Sequence, residues 1–104
     1  IAEGVRRITS HQADLYGIRD RGRIQVGAWA DFLLFDPKTV GIGPAERIPD
    51  LPGGGRRTLR RPKGVHGVFV NGVRVFDGTD YARLDRGPGQ VLDRFAAIVP
   101  ARAP

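Results

Sequence analysis

Val68-Phe69-Val70-Asn71-Gly72-Val73-Arg74-Val75-Phe76 is the stretch from which the fold is best read. Two alternating apolar runs flank Asn-Gly, and a two-residue Asn-Gly loop needs positive φ at both positions, so the stretch predicts a type I′ β-hairpin. The simple register sets Val70 opposite Val73 and Val68 opposite Val75. The four valines would then line one face, with Phe69, Arg74 and Phe76 on the other. Asp77-Gly78 ends the second strand. Upstream, Asp31-Phe32-Leu33-Leu34-Phe35-Asp36 predicts another strand. Side chains alternate faces along a strand, so four consecutive apolar residues imply burial on both sides. Pro37 cannot donate a ladder bond and stops it.

Further out the signals shorten. Ile1, Val5 and Ile8 recur at i, i+4 and i+7 and predict the end of a helix. Ser10 is placed to cap a second short helix through Tyr16, closed by Gly17 in the left-handed conformation. Asp20-Arg21-Gly22 reads as a turn and Ile24–Val26 as a short strand. The many Gly and Pro between 38 and 64 predict a long loop, a surface excursion or a segment packed on something outside the chain. Residues 79–89 read as loop, and Gln90–Val99 as a terminal helix. The expected class is mainly β with short helices, an α+β arrangement of about four strands.

The chain has 104 residues, 15 Gly, 8 Pro, no Cys and no Met. Without Cys there are no disulfides, thiolate metal sites or thiol nucleophiles. Starting at Ile1 with no Met, the chain reads as a fragment or trimmed product. No apolar run approaches the roughly 18 residues that span a bilayer, which predicts no membrane association, and a cytoplasmic location is the default expectation. The net charge is +6, and of 17 basic residues only Lys38 and Lys63 are lysines. The arginine skew fits either a GC-rich coding bias or phosphate recognition; the scatter of the arginines favours the bias.

No chemistry-bearing constellation emerges. His11 has only Asp14 at helical spacing, and His66 begins a strand, so neither predicts a metal site. Ser10 reads as a cap, and no hydroxyl lies in a nucleophile elbow. Asp77 with Asp80, and Asp31 with Asp36, read as turn and strand-end residues rather than acid–base pairs. Pro52-Gly53-Gly54-Gly55-Arg56-Arg57 lacks the Lys-Ser/Thr ending of a phosphate loop. Arg56, Arg57, Arg60 and Arg61 form the one dense basic run, but no aromatic residue lies between Phe35 and Phe69 to stack a base. The expected catalytic, cofactor-binding and metal-ligating residues of this chain are therefore none.

One resemblance covers roughly residues 4–92. Gly4-Val5-Arg6-Arg7-Ile8-Thr9-Ser10, Gly17-Ile18-Arg19-Asp20-Arg21-Gly22-Arg23-Ile24, Gly27-Ala28-Trp29-Ala30-Asp31-Phe32-Leu33-Leu34-Phe35-Asp36-Pro37 and Gly64-Val65-His66-Gly67-Val68-Phe69-Val70-Asn71-Gly72-Val73 resemble, in that order, the C-terminal end of the amidohydrolase superfamily. Cytosine deaminases, imidazolonepropionases and dihydropyrimidinases have similar tails. The Leu51-Pro52-Gly53-Gly54 loop and the closing Gly87-Pro88-Gly89-Gln90-Val91-Leu92 look like the N-acyl-D-amino-acid deacylase (D-aminoacylase) branch. His11-Gln12, the Arg-rich 56–63 and Thr79–Arg83 depart from that pattern.

The resemblance implies that residues 1–20 are terminal helices packed on a (β/α)8 barrel. Residues 21–92 would be the C-terminal part of a small β-sandwich, with loop 38–64 and hairpin 65–77, and residues 93–104 a tail. It further implies a zinc-type divalent metal and a catalytic Asp in the barrel, outside this chain, and hydrolysis of the amide of N-acyl-D-amino acids by the parent. The expected partners are the rest of the same polypeptide and a possible homo-oligomeric copy. The rival expectation is a stand-alone basic module that binds nucleic acid through its Arg-rich loop.

Overall fold

The computed structural model describes residues 1–93. They form two short helices followed by five strands. Helix α1 spans Ala2–Ile8 and α2 spans Ser10–Leu15; β1 is Phe32–Phe35, β2 Gly41–Ile48, β3 Arg57–Lys63, β4 Val65–Val70 and β5 Val73–Phe76. A three-residue 3-10 turn, Pro52–Gly54, links β2 to β3. The chain is mainly β with short helices, as the alternation and the turn residues predict.

Helix α2 ends as its sequence dictates. Gly17 has φ +73°, and the Ile18 and Gly17 amides donate to Ala13 O at 2.8 Å and Asp14 O at 3.2 Å. That is the paired 6→1 and 5→2 closure which a left-handed glycine permits. The start differs from expectation. Thr9, not Ser10, holds the N-cap position, and no side chain caps it. The Thr9 hydroxyl instead donates to Val5 O at 2.6 Å, because α1 runs into α2 without an intervening extended residue.

The strands form two antiparallel pairings, a three-stranded sheet in the order β1-β4-β5 and a two-stranded ribbon of β2 with β3. The expected loop 38–64 is thus corrected. Its centre is a ribbon whose ladder runs from Gly41 opposite Lys63 to Ile48 opposite Arg57. Alternation was masked there by a bulge, where Gly43 and Pro44 together face Arg61. A Cβ on Gly43 would approach Arg61 O to 3.1 Å. The ribbon grows directly out of the β1–β4 pair. Asp36 N donates to Gly64 O at 2.8 Å, and Gly64, at φ +64°, lies against Thr39 and Val40. Residues 24–26, expected as a strand, form none, since no neighbouring backbone pairs with them.

The hairpin turn is type I′, with φ +48° at Asn71 and +80° at Gly72. Beyond it the expected register is corrected. Val70 faces Val73 and Phe69 faces Arg74, but Val68 faces Phe76, so Val75 is an extra residue in β5. This bulge turns Phe76 to the valine face, where it is 9% exposed and packs on Tyr81 with ring centroids 5.0 Å apart. Burial of a large aromatic side chain outweighs one lost ladder bond. A second bulge sets Phe35 opposite Val65, leaving His66 as the extra residue in β4.

The core is thin. Ala13 and Phe76 are the buried apolar residues among those described. Strand β1 lies at the sheet edge, and Leu33 and Leu34, on opposite faces, are 51% and 54% exposed. The expected burial of β1 on both sides is not met among the described residues. Gln90–Asp93 are not helical; the remainder of the expected terminal helix lies outside the described residues.

Candidate functional site

Chemistry-bearing side chains converge at one place, where the Asn71-Gly72 turn meets the 20–31 segment. Asn71 N donates to Asp31 Oδ1 at 2.7 Å, and Gly72 N donates to Ala30 O at 2.9 Å. The Asn71 side-chain amide donates to Pro88 O at 2.6 Å. Arg21 Nη1 donates to Asp31 Oδ2 and, at 2.9 Å, to Asn71 Oδ1. The Arg21 guanidinium lies 5.2 Å from the Trp29 ring centroid, a cation–π contact. The Arg21 side chain is 12% exposed, and its Nε finds no partner. A shallow groove beside the cluster is lined by Arg23, Ile24, Trp29, Asp31 and Phe32.

This arrangement holds segments together. Both Asp31 oxygens accept a hydrogen bond, one from a backbone amide and one from Arg21. The Asn71 amide is satisfied at both ends. The cluster fastens the hairpin turn to the strand β1 entrance and to Pro88, segments 40 and 17 residues away in sequence. Sequence reading placed Asn71 correctly in the turn and missed Arg21 and Trp29. An arginine in a turn ahead of a Trp and an Asp was the available signal.

The other sequence candidates are scattered. His11 and His66 are exposed, on α2 and β4. Asp14 is engaged by Arg23 at 2.5 Å, not by His11. Asp77 Oδ1 accepts the Thr79 and Asp80 amides, both at 2.8 Å, and these bonds, that of Asp80 first, hold its carboxyl below the ordinary value. Asp36 Oδ1 accepts Lys38 N at 2.8 Å. Asp14, Asp36 and Asp77 each serve a turn or an ion pair. Among the described residues no group of three His, Cys, Asp or Glu side chains could hold a metal ion, and no helix is long and apolar enough to cross a membrane.

The basic run is divided. Arg57 forms a two-pronged pair with Asp50, with bonds of 2.7 and 2.8 Å, and Arg61 Nε lies 3.6 Å from Glu46. The Arg57 hydrogen bonds hold the Asp50 carboxyl low, and the same carboxylate raises Arg57. Gly53 and Gly54, at φ +69° and +72°, form the open end of the ribbon.

Comparison with known proteins supplies what the geometry lacks. The profile described as "Amidohydrolase family" matches residues 1–76. The chain is 36% identical over 97 residues to an N-acyl-D-glutamate deacylase of Alcaligenes xylosoxydans xylosoxydans, covering 93% of this chain and 17% of that protein. It is 33% identical over 91 residues to a D-aminoacylase of the same organism, covering 88% of this chain and 16% of that one. An N-acyl-D-aspartate deacylase, again of that organism, is 34% identical over 88 residues, covering 85% of this chain and 16% of that protein. No solved structure matches significantly. The chain spans about one-sixth of the length of the curated relatives it matches. By the profile match over most of its residues and by these relatives, all of D-aminoacylase type, the chain belongs to the amidohydrolase family.

Proposed function

We propose that these residues are a non-catalytic C-terminal portion of a metal-dependent amidohydrolase that hydrolyses the amide bond of N-acyl-D-amino acids. The observation that carries this reading is the alignment of 85–93% of the chain with about one-sixth of each of three such deacylases. One feature of the structure supports it: β1 exposes apolar side chains on both faces, beside an edge that no described strand pairs. A strand of that kind is suited to being covered by another part of a larger protein.

In this reading residues 1–20 pack on the barrel, residues 21–92 complete a β-sandwich, and 93–104 are a tail. The described residues do not fit a divalent metal, so a zinc-type ion would be held by the barrel, where it would activate water and polarise the carbonyl. What this chain does is structural. The Arg21–Asp31–Asn71 cluster fixes the hairpin against the β1 entrance, and the sheet presents its open faces for packing.

The test is made on the full-length polypeptide. Incubation with N-acetyl-D-glutamate, N-acetyl-D-aspartate and N-acetyl-D-leucine, each beside its L form, should release the free D-amino acid, and a chelator should abolish that release. Absence of hydrolysis of every D substrate by a metal-replete preparation would reject the reading.

A further inference from the structure

The β2–β3 ribbon has two chemically different faces. Its register places Glu46, Ile48, Arg57, Leu59 and Arg61 on one face. There the charges are neutralised from within, by the Asp50–Arg57 and Glu46–Arg61 pairs. The other face carries Ile42, Ala45, Arg47, Thr58, Arg60 and Pro62. Arg47 faces Thr58 and Ala45 faces Arg60, so the two arginines are diagonal neighbours across the pair. Neither lies within ion-pair distance of a carboxylate among the described residues. Ile42 beside them is 65% exposed.

Two like charges side by side disfavour a ribbon that, with two strands, is marginal alone. Among the described residues β2 and β3 pack on each other and make no extensive contact with another strand or helix. Among the described residues the face therefore lacks a counter-charge and an apolar cover together. Arg suits such a role, because its planar fork takes a carboxylate in a two-pronged bond while its stem covers apolar surface. Nucleic acid fits less well, since the ribbon holds no aromatic residue and Arg57 and Arg61, half of the dense run, are already neutralised.

We propose that the Arg47–Arg60 face of the ribbon docks on a carboxylate-bearing protein surface in the part of the polypeptide beyond these 104 residues. About five-sixths of a chain of the relatives' length is available to provide it. The inference rests on the reading of this chain as part of a larger amidohydrolase.

Hydrogen exchange of the full-length polypeptide, followed by mass spectrometry of peptides covering 41–63, tests it. Docking protects both strands. R47E/R60E should speed exchange in these peptides by about tenfold, leaving peptides 65–76 unchanged as the control for folding. R47K/R60K, which keeps the charges, and R56E, outside the ribbon face, should stay close to the wild type. Ribbon amides that exchange as fast in the wild type as in R47E/R60E would overturn the docking and leave the larger reading standing. An intact mass of the native protein near 11.3 kDa would overturn the larger reading itself. Protection lost on dilution, pointing to a second copy, or seen only with an added single-stranded oligonucleotide, would each overturn the proposal in favour of that partner.

Discussion

Phe32 and Phe69 face each other across the β1–β4 pair, with ring centroids 4.4 Å apart and planes inclined by 18°. Gly67 makes this possible from beneath, because a Cβ there would meet the Phe69 ring at 2.8 Å. The stack is an apolar contact between the edge strand and the hairpin on that face. Phe69→Ala should lower stability by about 2 kcal/mol, below the usual cost for a fully buried Phe because the pair is partly open. Gly67→Val should also destabilise by driving the ring aside. Urea unfolding midpoints of the full-length protein check both.

Leu34 decides whether β1 is covered in the complete protein. On an open face, Leu34→Ala should cost less than about 1 kcal/mol; beneath a covering layer it should cost about 2–4 kcal/mol. The proposed sandwich predicts the larger figure in the full-length polypeptide. Thermal or urea unfolding of that single variant distinguishes them.

Asn71 has a different role from its turn neighbour. Asn71→Gly keeps the positive φ and the backbone bond to Asp31, yet removes the side-chain bonds to Arg21 and Pro88, and should cost about 1–2 kcal/mol. Asn71→Val should cost more, since a β-branched residue resists φ +48°. Arg21→Lys should lose the paired geometry and the Trp29 contact, so it should not rescue Arg21→Ala fully. Denaturation midpoints of the four variants rank these effects.

Asp77 links stability to pH. Its folded carboxyl is held below the ordinary value by the Asp80 and Thr79 amides. A depressed folded value means its contribution is complete above the unfolded value of about 3.9 and is lost as pH falls through the folded one. The Asp77 NMR titration midpoint should lie below the ordinary carboxylate range. Asp77→Asn should flatten the part of the Tm profile in acid that this residue causes.

Gly78 should tolerate no side chain. At φ +104° an added Cβ would collide with Val65 O, which belongs to the first residue of β4. Gly78→Ala should therefore destabilise by about 2–4 kcal/mol through strain and clash together. Gly53→Ala, also at positive φ (+69°) but with open space around it, should lose only about 1 kcal/mol. A comparison of their melting temperatures separates conformational strain from collision.

Local chemistry made part of this protein legible in its sequence. Asn71-Gly72 dictates a turn of one hand, Gly17 a helix end, and Pro37 the stop of β1, because each acts through its own φ or its own missing donor. The absence of Cys and the scatter of His were likewise readable without coordinates, and the ordered motifs along residues 4–92 identified the family. Tertiary structure decided the rest. Bulges at Val75 and at Gly43-Pro44 reset which side chains share a face, and a bulge follows from what must be buried on both strands at once. Glycine and proline hid the β2–β3 ribbon, whose strands are specified by each other more than by either alone. The Arg21–Asp31–Asn71 cluster joins residues as far as 50 apart, a distance at which only the folded chain determines which charges and amides meet.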